Sequence, residues 1–228
     1  MRGMVNKKKT VQKKISRVAR DLVYNYLRKR MQEGEILPGN SLNLTELSEH
    51  LQISRTPLRD ALIRLEAEGI VTIYPRSKVI VNKLEKEDFQ YLYEVIGSLE
   101  NTLCIRGMPH YTASILDEME EVVKEMRKSI YAEDIQQYDI LHRKSHDYFL
   151  TVAPNLFAER ILVPVQNRLW DLPRRNFVQR WFLDGCDEHD LIIRALREKN
   201  ETDLRYYVKE RHWDFEYNKE HIFAIYFH

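Results

Sequence analysis

The chain has 228 residues, of which 43% are hydrophobic and 31% charged, an ordinary composition for a folded globular protein rather than a disordered one. No apolar run approaches the roughly 18 residues of a transmembrane helix, and no apolar stretch follows the basic N-terminus, so we expect neither a membrane protein nor a secretory signal. The two cysteines are too few for a disulfide scaffold and favour a cytoplasmic protein.

The formal net charge of +1 hides a division along the chain. Residues 1–84 carry 17 Lys/Arg and 8 Asp/Glu, a net charge of +9, whereas residues 85–228 carry 19 and 27, a net charge of −8. A basic region of this size is typical of a protein that binds a polyanion such as nucleic acid. A predicted basic tail, residues 1–14, accounts for much of the positive charge, but residues 15–84 still have a net charge of +3.

Three helices are predicted between residues 15 and 69. The first begins near Ile15 and ends before Gly34, and its apolar face is a row of residues at helical spacing: Ile15, Val18, Leu22, Tyr26 and Leu27. Asn43 is predicted to cap the second helix and Ser54 the third, which Gly69 ends. The sparse use of Gly and Pro, seven residues each, also favours a mainly helical protein.

The second and third helices are joined by a tight turn, which is typical of a helix-turn-helix. The first turns of the third helix carry Arg55, Thr56 and Arg59, and the two arginines share a face because they are four residues apart. Guanidinium groups at this end of a recognition helix suit guanine edges and phosphates. The alternative is a surface helix whose arginines pair with Asp60 and Glu66.

A hairpin is predicted directly after the third helix. Residues 70–74 and 79–81 are rich in β-branched side chains and flank a basic turn that contains Arg76 and Lys78. A hairpin in this position is the wing of a winged helix-turn-helix, and its tip can reach the adjacent groove or the DNA backbone.

Residues 34–39, 42–51 and 54–69 resemble the GntR family of bacterial transcription regulators, above all in the segment SRTPLRDAL at residues 54–62. The resemblance covers about residues 15–83 and implies a homodimer that binds a palindromic operator in double-stranded DNA. Thr45 stands where many members have a DNA-contacting arginine, and Lys78 where many have a wing glycine. The candidate DNA-binding residues are Thr45, Ser54, Arg55, Thr56, Arg59, Arg76 and Lys78.

Residues 85–228 show helical periodicity with few breakers and no strand-like alternation of any length, which predicts an all-α bundle of six or seven helices. Four histidines stand out in this region. His142 and His146 are four residues apart and share a helix face, while His189 and His212 continue apolar rows and are predicted to face the interior. Buried histidines from several helices are satisfied if they share a metal ion, although a chance surface pair at residues 142 and 146 is the alternative.

The C-terminal region is similar to the FCD ligand-binding and dimerisation domain of one GntR subfamily, over about residues 85–221. The resemblance implies a divalent metal held by His142, His146, His189 and His212 beside an effector pocket. His142 replaces the usual aspartate, which favours zinc or nickel over a harder cation, although Asp139, one turn earlier, is an alternative ligand. Ile96 stands where many members have an arginine for a carboxylate effector, so the effector and its binding residues are left open.

The resulting hypothesis is a dimeric transcriptional regulator, not an enzyme, that a small-molecule effector controls through the metal-containing domain. Two alternatives concern the metal. In the first, the metal activates water in an enzyme, but the sequence has no HExxH or similar motif. In the second, the metal clamps the bundle in a purely structural role.

Overall fold

The computed structural model describes the backbone of residues 2–227 and the side chains of residues 16–76 and 78–227. The chain divides into two compact units, of which unit 1 comprises Met1–Glu85 with Asn167–Arg174, and unit 2 comprises Lys86–Gln166 with Arg175–His228. The side chains of the predicted basic tail lie outside the described residues. Among the helices of residues 2–227, none combines the length and hydropathy that a membrane span requires.

Unit 1 has the predicted winged helix-turn-helix architecture. Its elements are α1 (Arg2–Gln32), β1 (Ser41–Leu42), α2 (Leu44–His50), α3 (Arg55–Ala67), β2 (Val71–Tyr74) and β3 (Lys78–Val81). The strands form an antiparallel sheet in the order β1-β3-β2. Strands β2 and β3 are the wing, with Val71 opposite Val81 and Tyr74 opposite Lys78.

Strand β1 was not predicted, because two residues are too short to show a period. It forms where the chain turns at Gly39, whose N–H bonds the carbonyl of Val81 at 2.8 Å. The N–H of Val81 in turn bonds the carbonyl of Asn40 at 2.9 Å, which brings Ser41 opposite Ile80. The strand therefore depends on long-range pairing rather than on local sequence.

Helix α1 differs from its prediction in both extent and orientation. It begins at Arg2 rather than near Ile15, since residues 2–14 contain no proline and are rich in lysine, which favours helix. Val18 and Leu22 of the predicted row are 61% and 49% exposed, whereas Leu27 of that row is buried, together with Val23, Tyr24 and Met31, which were not predicted. The helix carries two adjacent apolar rows, and packing against α3 selects the second.

The end of α3 is set by Gly69, as predicted. Gly69 has φ +72°, a left-handed conformation that glycine adopts without strain. Its N–H bonds the carbonyl of Glu66 at 2.9 Å, and the N–H of Ile70 bonds the carbonyl of Leu65 at 2.9 Å. These two bonds are a Schellman motif, which ends the helix and starts β2 directly. The buried side chains of α1, α3 and the sheet then close one apolar core.

Unit 2 is an all-α bundle, as predicted, to which seven described helices contribute. They are α4 (Lys86–Gly107), α5 (Ala113–Tyr131), α6 (Ile135–Thr151), α7 (Leu156–Trp170), α8 (Gln179–Glu198), α9 (Glu201–Arg205) and α10 (Phe215–Tyr226). Helix α7 belongs to unit 2 up to Gln166. A π-helical segment, Tyr206–His212, follows α9 and was not predicted. Such wide turns are rare, and those that occur often lie at functional sites.

Candidate nucleic-acid interface and metal centre

Helix α3 has a buried face and an exposed face that serve different purposes. Leu58, Leu62 and Leu65 are buried in the core of unit 1. Arg55 and Arg59 lie on the opposite side and are exposed, as is Thr56. Packing of the apolar row thus presents the first turns of α3 to solvent, at the end where a recognition helix contacts bases.

Neither Arg55 nor Arg59 has an ion-pair partner among the described residues, so the predicted alternative of a paired surface helix gains no support. Glu66 accepts the backbone N–H of Ile73 at 2.8 Å instead. Arg64, on the same helix, is engaged: its guanidinium lies 3.6 Å from the centroid of the Tyr24 ring and its Nε donates to Glu68 at 3.1 Å. Arg64 therefore supports the fold, while the guanidinium N–H groups of Arg55 and Arg59 remain free to donate hydrogen bonds to another molecule.

The two predicted helix caps behave differently. The Asn43 side chain accepts the N–H groups of Thr45 and Glu46 and so caps α2 as predicted. Ser54 occupies the N-cap position of α3, but its side chain makes no capping hydrogen bond. Both Thr45 and Ser54 are exposed beside the first turns of these helices, so their hydroxyl groups are presented to solvent.

The tip of the wing carries Arg76 and Lys78, and both are exposed. The left-handed residue of this turn is Arg76, with φ +64°, whereas Lys78 has φ −77° and begins β3. Position 78 therefore has no conformational need for glycine. Arg76 and Lys78 add positive charge to the same basic region as the recognition helix.

The four predicted metal-binding histidines form one cluster in unit 2. His142 and His146 come from α6, His189 from α8 and His212 from the end of the π-helical segment. One ligand atom from each lies within 4.8 Å of the others. Asp139, the alternative ligand considered above, is not part of this cluster. Ile96 is fully buried and supplies no polar group.

The buried surroundings of the cluster favour the neutral form of its imidazoles. His146 and His189 are each 1% exposed, and burial lowers the pKa of both well below the usual range, with the proximity of His212 acting in the same direction. The Nε2 atoms of His146 and His142 are 3.2 Å apart. Neutral imidazole is the form that ligates a metal, and four converging nitrogen donors fit a borderline transition ion. The histidine cluster can therefore hold a metal ion.

Two buried glutamates contact the cluster from outside, and neither was predicted as part of the site. Glu100 of α4 accepts His146 Nδ1 at 2.9 Å, Gln166 Nε2 at 2.6 Å and Trp213 Nε1 at 2.6 Å. Burial raises the pKa of Glu100 to about 8, while His212 and the bonds from Trp213 and Gln166 act in the opposite direction.

The second glutamate, Glu188 of α8, accepts His212 Nδ1 at 2.9 Å and Arg211 Nε at 3.1 Å. Its place next to His189 in the sequence was the one available signal. Neighbours on a helix point about 100° apart, so both residues cannot face one site as ligands. Glu188 instead contacts the histidine of another segment.

Two family models match the chain. The model described as bacterial regulatory proteins, gntR family, matches residues 19–81, and the FCD domain model matches residues 91–212. Together they account for the winged helix-turn-helix and for the helices that carry the histidine cluster.

Similar proteins are transcriptional regulators. The HTH-type transcriptional regulator YdhC of Bacillus subtilis is 23% identical over 202 residues, which are 87% of this chain and 88% of that protein. The gluconate operon transcriptional repressor of Bacillus licheniformis is 26% identical over 202 residues, covering 83% and 79%. The McbR/YncC structure from Escherichia coli has a TM-score of 0.75 at 18% identity, covering 90% and 98%, and shows the same fold.

Proposed function

We propose that the protein binds a palindromic operator as a homodimer and that an effector controls its affinity for DNA. The chain belongs to the GntR family of bacterial regulatory proteins and carries an FCD domain, and the proposal rests on this membership. DNA binding and transcriptional regulation follow from the family. The families and relatives are regulators, so a metal-dependent enzyme is not the function. A regulator of this kind acts on the chromosome in the cytoplasm.

One observation carries the proposed DNA contacts: the exposed, unpaired guanidinium groups of Arg55 and Arg59 at the start of α3. Arginine reads guanine O6 and N7 with two hydrogen bonds, and each such pair is worth about 1–3 kcal/mol of discrimination. Thr45, Ser54 and Thr56 lie beside the same helix ends and suit phosphate or base contacts. Arg76 and Lys78 extend the basic surface onto the wing.

The experiment is selection of bound fragments from the genomic DNA of the source organism, followed by fluorescence anisotropy titration of the selected duplex. We expect wild type to bind a palindromic site and the Arg55→Ala/Arg59→Ala variant to lose at least 100-fold in affinity. Lys29→Ala, an exposed lysine on α1, is the control and should bind almost as wild type does. Equal affinity of wild type and the double variant would overturn the proposed role of α3.

An exposed apolar face supports the homodimer. Leu156, Phe157 and Ile161, near the start of α7, are 65%, 78% and 55% exposed, and contiguous exposed apolar groups mark interaction surfaces. A two-fold dimer also matches the two half-sites of a palindrome. Light scattering after gel filtration should give a dimer for wild type and for Tyr131→Glu, an exposed control, but a monomer for Phe157→Glu. A monomeric wild type would contradict the dimer.

We further propose that the histidine cluster binds zinc or nickel. Four imidazole nitrogens without a carboxylate ligand disfavour magnesium, calcium and manganese, which prefer oxygen donors. Elemental analysis of purified protein should find about one transition ion per chain, lost in His146→Ala. Wild-type protein that is free of metal and does not take up added zinc or nickel would overturn the proposal.

A structural and a regulatory role of the metal are separated by two readouts on the same samples. Removal of the metal should lower both the melting temperature and the change in operator affinity on effector binding if the ion belongs to the sensing site. A lower melting temperature with unchanged operator binding and effector response would assign the ion a purely structural role.

A further inference from the structure

Glu100 and Glu188 share one geometric feature: a carboxylate oxygen of each lies within hydrogen-bond distance of Nδ1 of a clustered histidine. The distances are 2.9 Å from His146 to Glu100 and 2.9 Å from His212 to Glu188. The imidazole proton is on Nδ1 when a carboxylate oxygen at this distance accepts the hydrogen bond. The Nε2 atoms of both rings are then unprotonated and available to a metal ion.

The two carboxylates also provide the charge that the four histidines do not. A divalent ion on four neutral imidazoles leaves two positive charges in a buried site, and buried charges are costly unless they are compensated. Glu100 is fully buried and Glu188 is 4% exposed. Two carboxyl groups one hydrogen bond beyond the ligands are placed to offset the two positive charges.

We propose that Glu100 and Glu188 are positioning residues that set the tautomers of His146 and His212 and determine the affinity of the site for a divalent metal. This inference rests on the proposed metal site. It assigns to two residues outside the ligand set the negative charge that a carboxylate ligand would otherwise supply.

Glu100 contributes more than Glu188, because their other partners differ. Glu188 also accepts a hydrogen bond from the cationic Arg211, so Arg211 already compensates negative charge on the Glu188 carboxyl group. The other donors to Glu100 are the neutral Gln166 and Trp213 side chains. None of its three hydrogen-bond donors is a fixed cation, so a metal ion held by His146 would supply the positive charge that Arg211 supplies to Glu188.

The test compares wild type with Glu100→Gln and Glu188→Gln, with Glu94→Gln as the control on an exposed position of α4. Zinc affinity is measured by competition with a chromogenic chelator, and the cobalt-substituted site by its absorption spectrum. We expect the affinity for zinc to fall roughly 10- to 100-fold in Glu100→Gln and by a smaller factor in Glu188→Gln. The affinity of Glu94→Gln should equal that of wild type. The cobalt spectrum should change in the first two variants only.

Melting of the metal-free proteins separates positioning from general stability. A structural role alone would lower the melting temperature of metal-free Glu100→Gln and leave the cobalt spectrum unchanged, which would overturn the inference. If Glu100→Gln does not fold, Glu188→Gln decides, because wild-type zinc affinity in that variant also contradicts it. A wild type that binds neither zinc nor cobalt removes the proposed metal site itself, whereas normal binding in every variant removes only the role of the glutamates.

Discussion

Arg55, Arg59 and Arg64 are the same residue type on one helix, yet their surroundings give them different roles. Arg64 stacks on Tyr24 and pairs with Glu68, whose other oxygen accepts the Tyr24 hydroxyl at 2.6 Å. Arg55 and Arg59 face solvent with their donors open. The sequence alone does not distinguish the three arginines, whereas the contacts of Tyr24, which is 44 residues from Glu68 in the chain, do.

This difference predicts that two alanine substitutions on α3 change the free energy of unfolding by different amounts. Arg64→Ala removes a cation–π contact and a helical ion pair, and we expect the free energy of unfolding to fall by about 1 kcal/mol. Arg55→Ala should leave the free energy of unfolding within roughly 0.5 kcal/mol of wild type, since it removes no contact. Urea denaturation of both variants measures the two effects. Equal destabilisation by the two substitutions would contradict the assignment.

At the scale of elements, local chemistry determined most of the fold. Helical periodicity and the caps at Asn43 and Gly69 were sufficient to predict α2, α3 and their ends, and β-branched residues around a turn predicted the wing. On α1, Leu27 is buried as predicted but Val18 and Leu22 are exposed, because two apolar rows compete and only tertiary packing selects between them. Strand β1 and the π-helical segment likewise depend on long-range contacts.

The histidine cluster was predictable because spacing and apolar rows locate its four members on helix faces. The glutamates beyond it were not, because Glu100 lies 46 residues from His146 in the chain. A glutamate on an amphipathic helix is normally at the surface, so its burial follows only from the N–H donors that surround it. Those donors come from three other segments of the bundle.

The two cap positions allow a matched prediction. Asn43→Ala removes two hydrogen bonds to the first turn of α2, and we expect a loss of about 1 kcal/mol in the free energy of unfolding. Ser54→Ala removes no capping hydrogen bond, and we expect a change within roughly 0.5 kcal/mol. Chemical denaturation tests the pair, and a loss for Ser54→Ala as large as that for Asn43→Ala would show that both serine and asparagine cap their helices.

At the scale of the whole molecule, the division of charge along the chain is consistent with DNA binding. The net charge of +9 lies in residues 1–84, which include the recognition helix and the wing, and the net charge of −8 lies in residues 85–228. Positive charge binds the phosphate backbone with a strong dependence on salt, whereas an acidic region is repelled by it. The small total charge is thus compatible with DNA binding. The acidic charge of residues 85–228 limits non-specific contact of the FCD domain with the duplex.

The central claim is that α3 reads DNA sequence, and the ratio of dissociation constants for the operator and a scrambled duplex tests it most directly. At fixed salt, wild type should prefer the operator by at least about 1,000-fold. The Arg55→Ala/Arg59→Ala variant should lose at least about 100-fold of that preference, because two base-reading contacts are removed, and Lys29→Ala should retain it. A double variant that keeps the wild-type ratio would contradict the account.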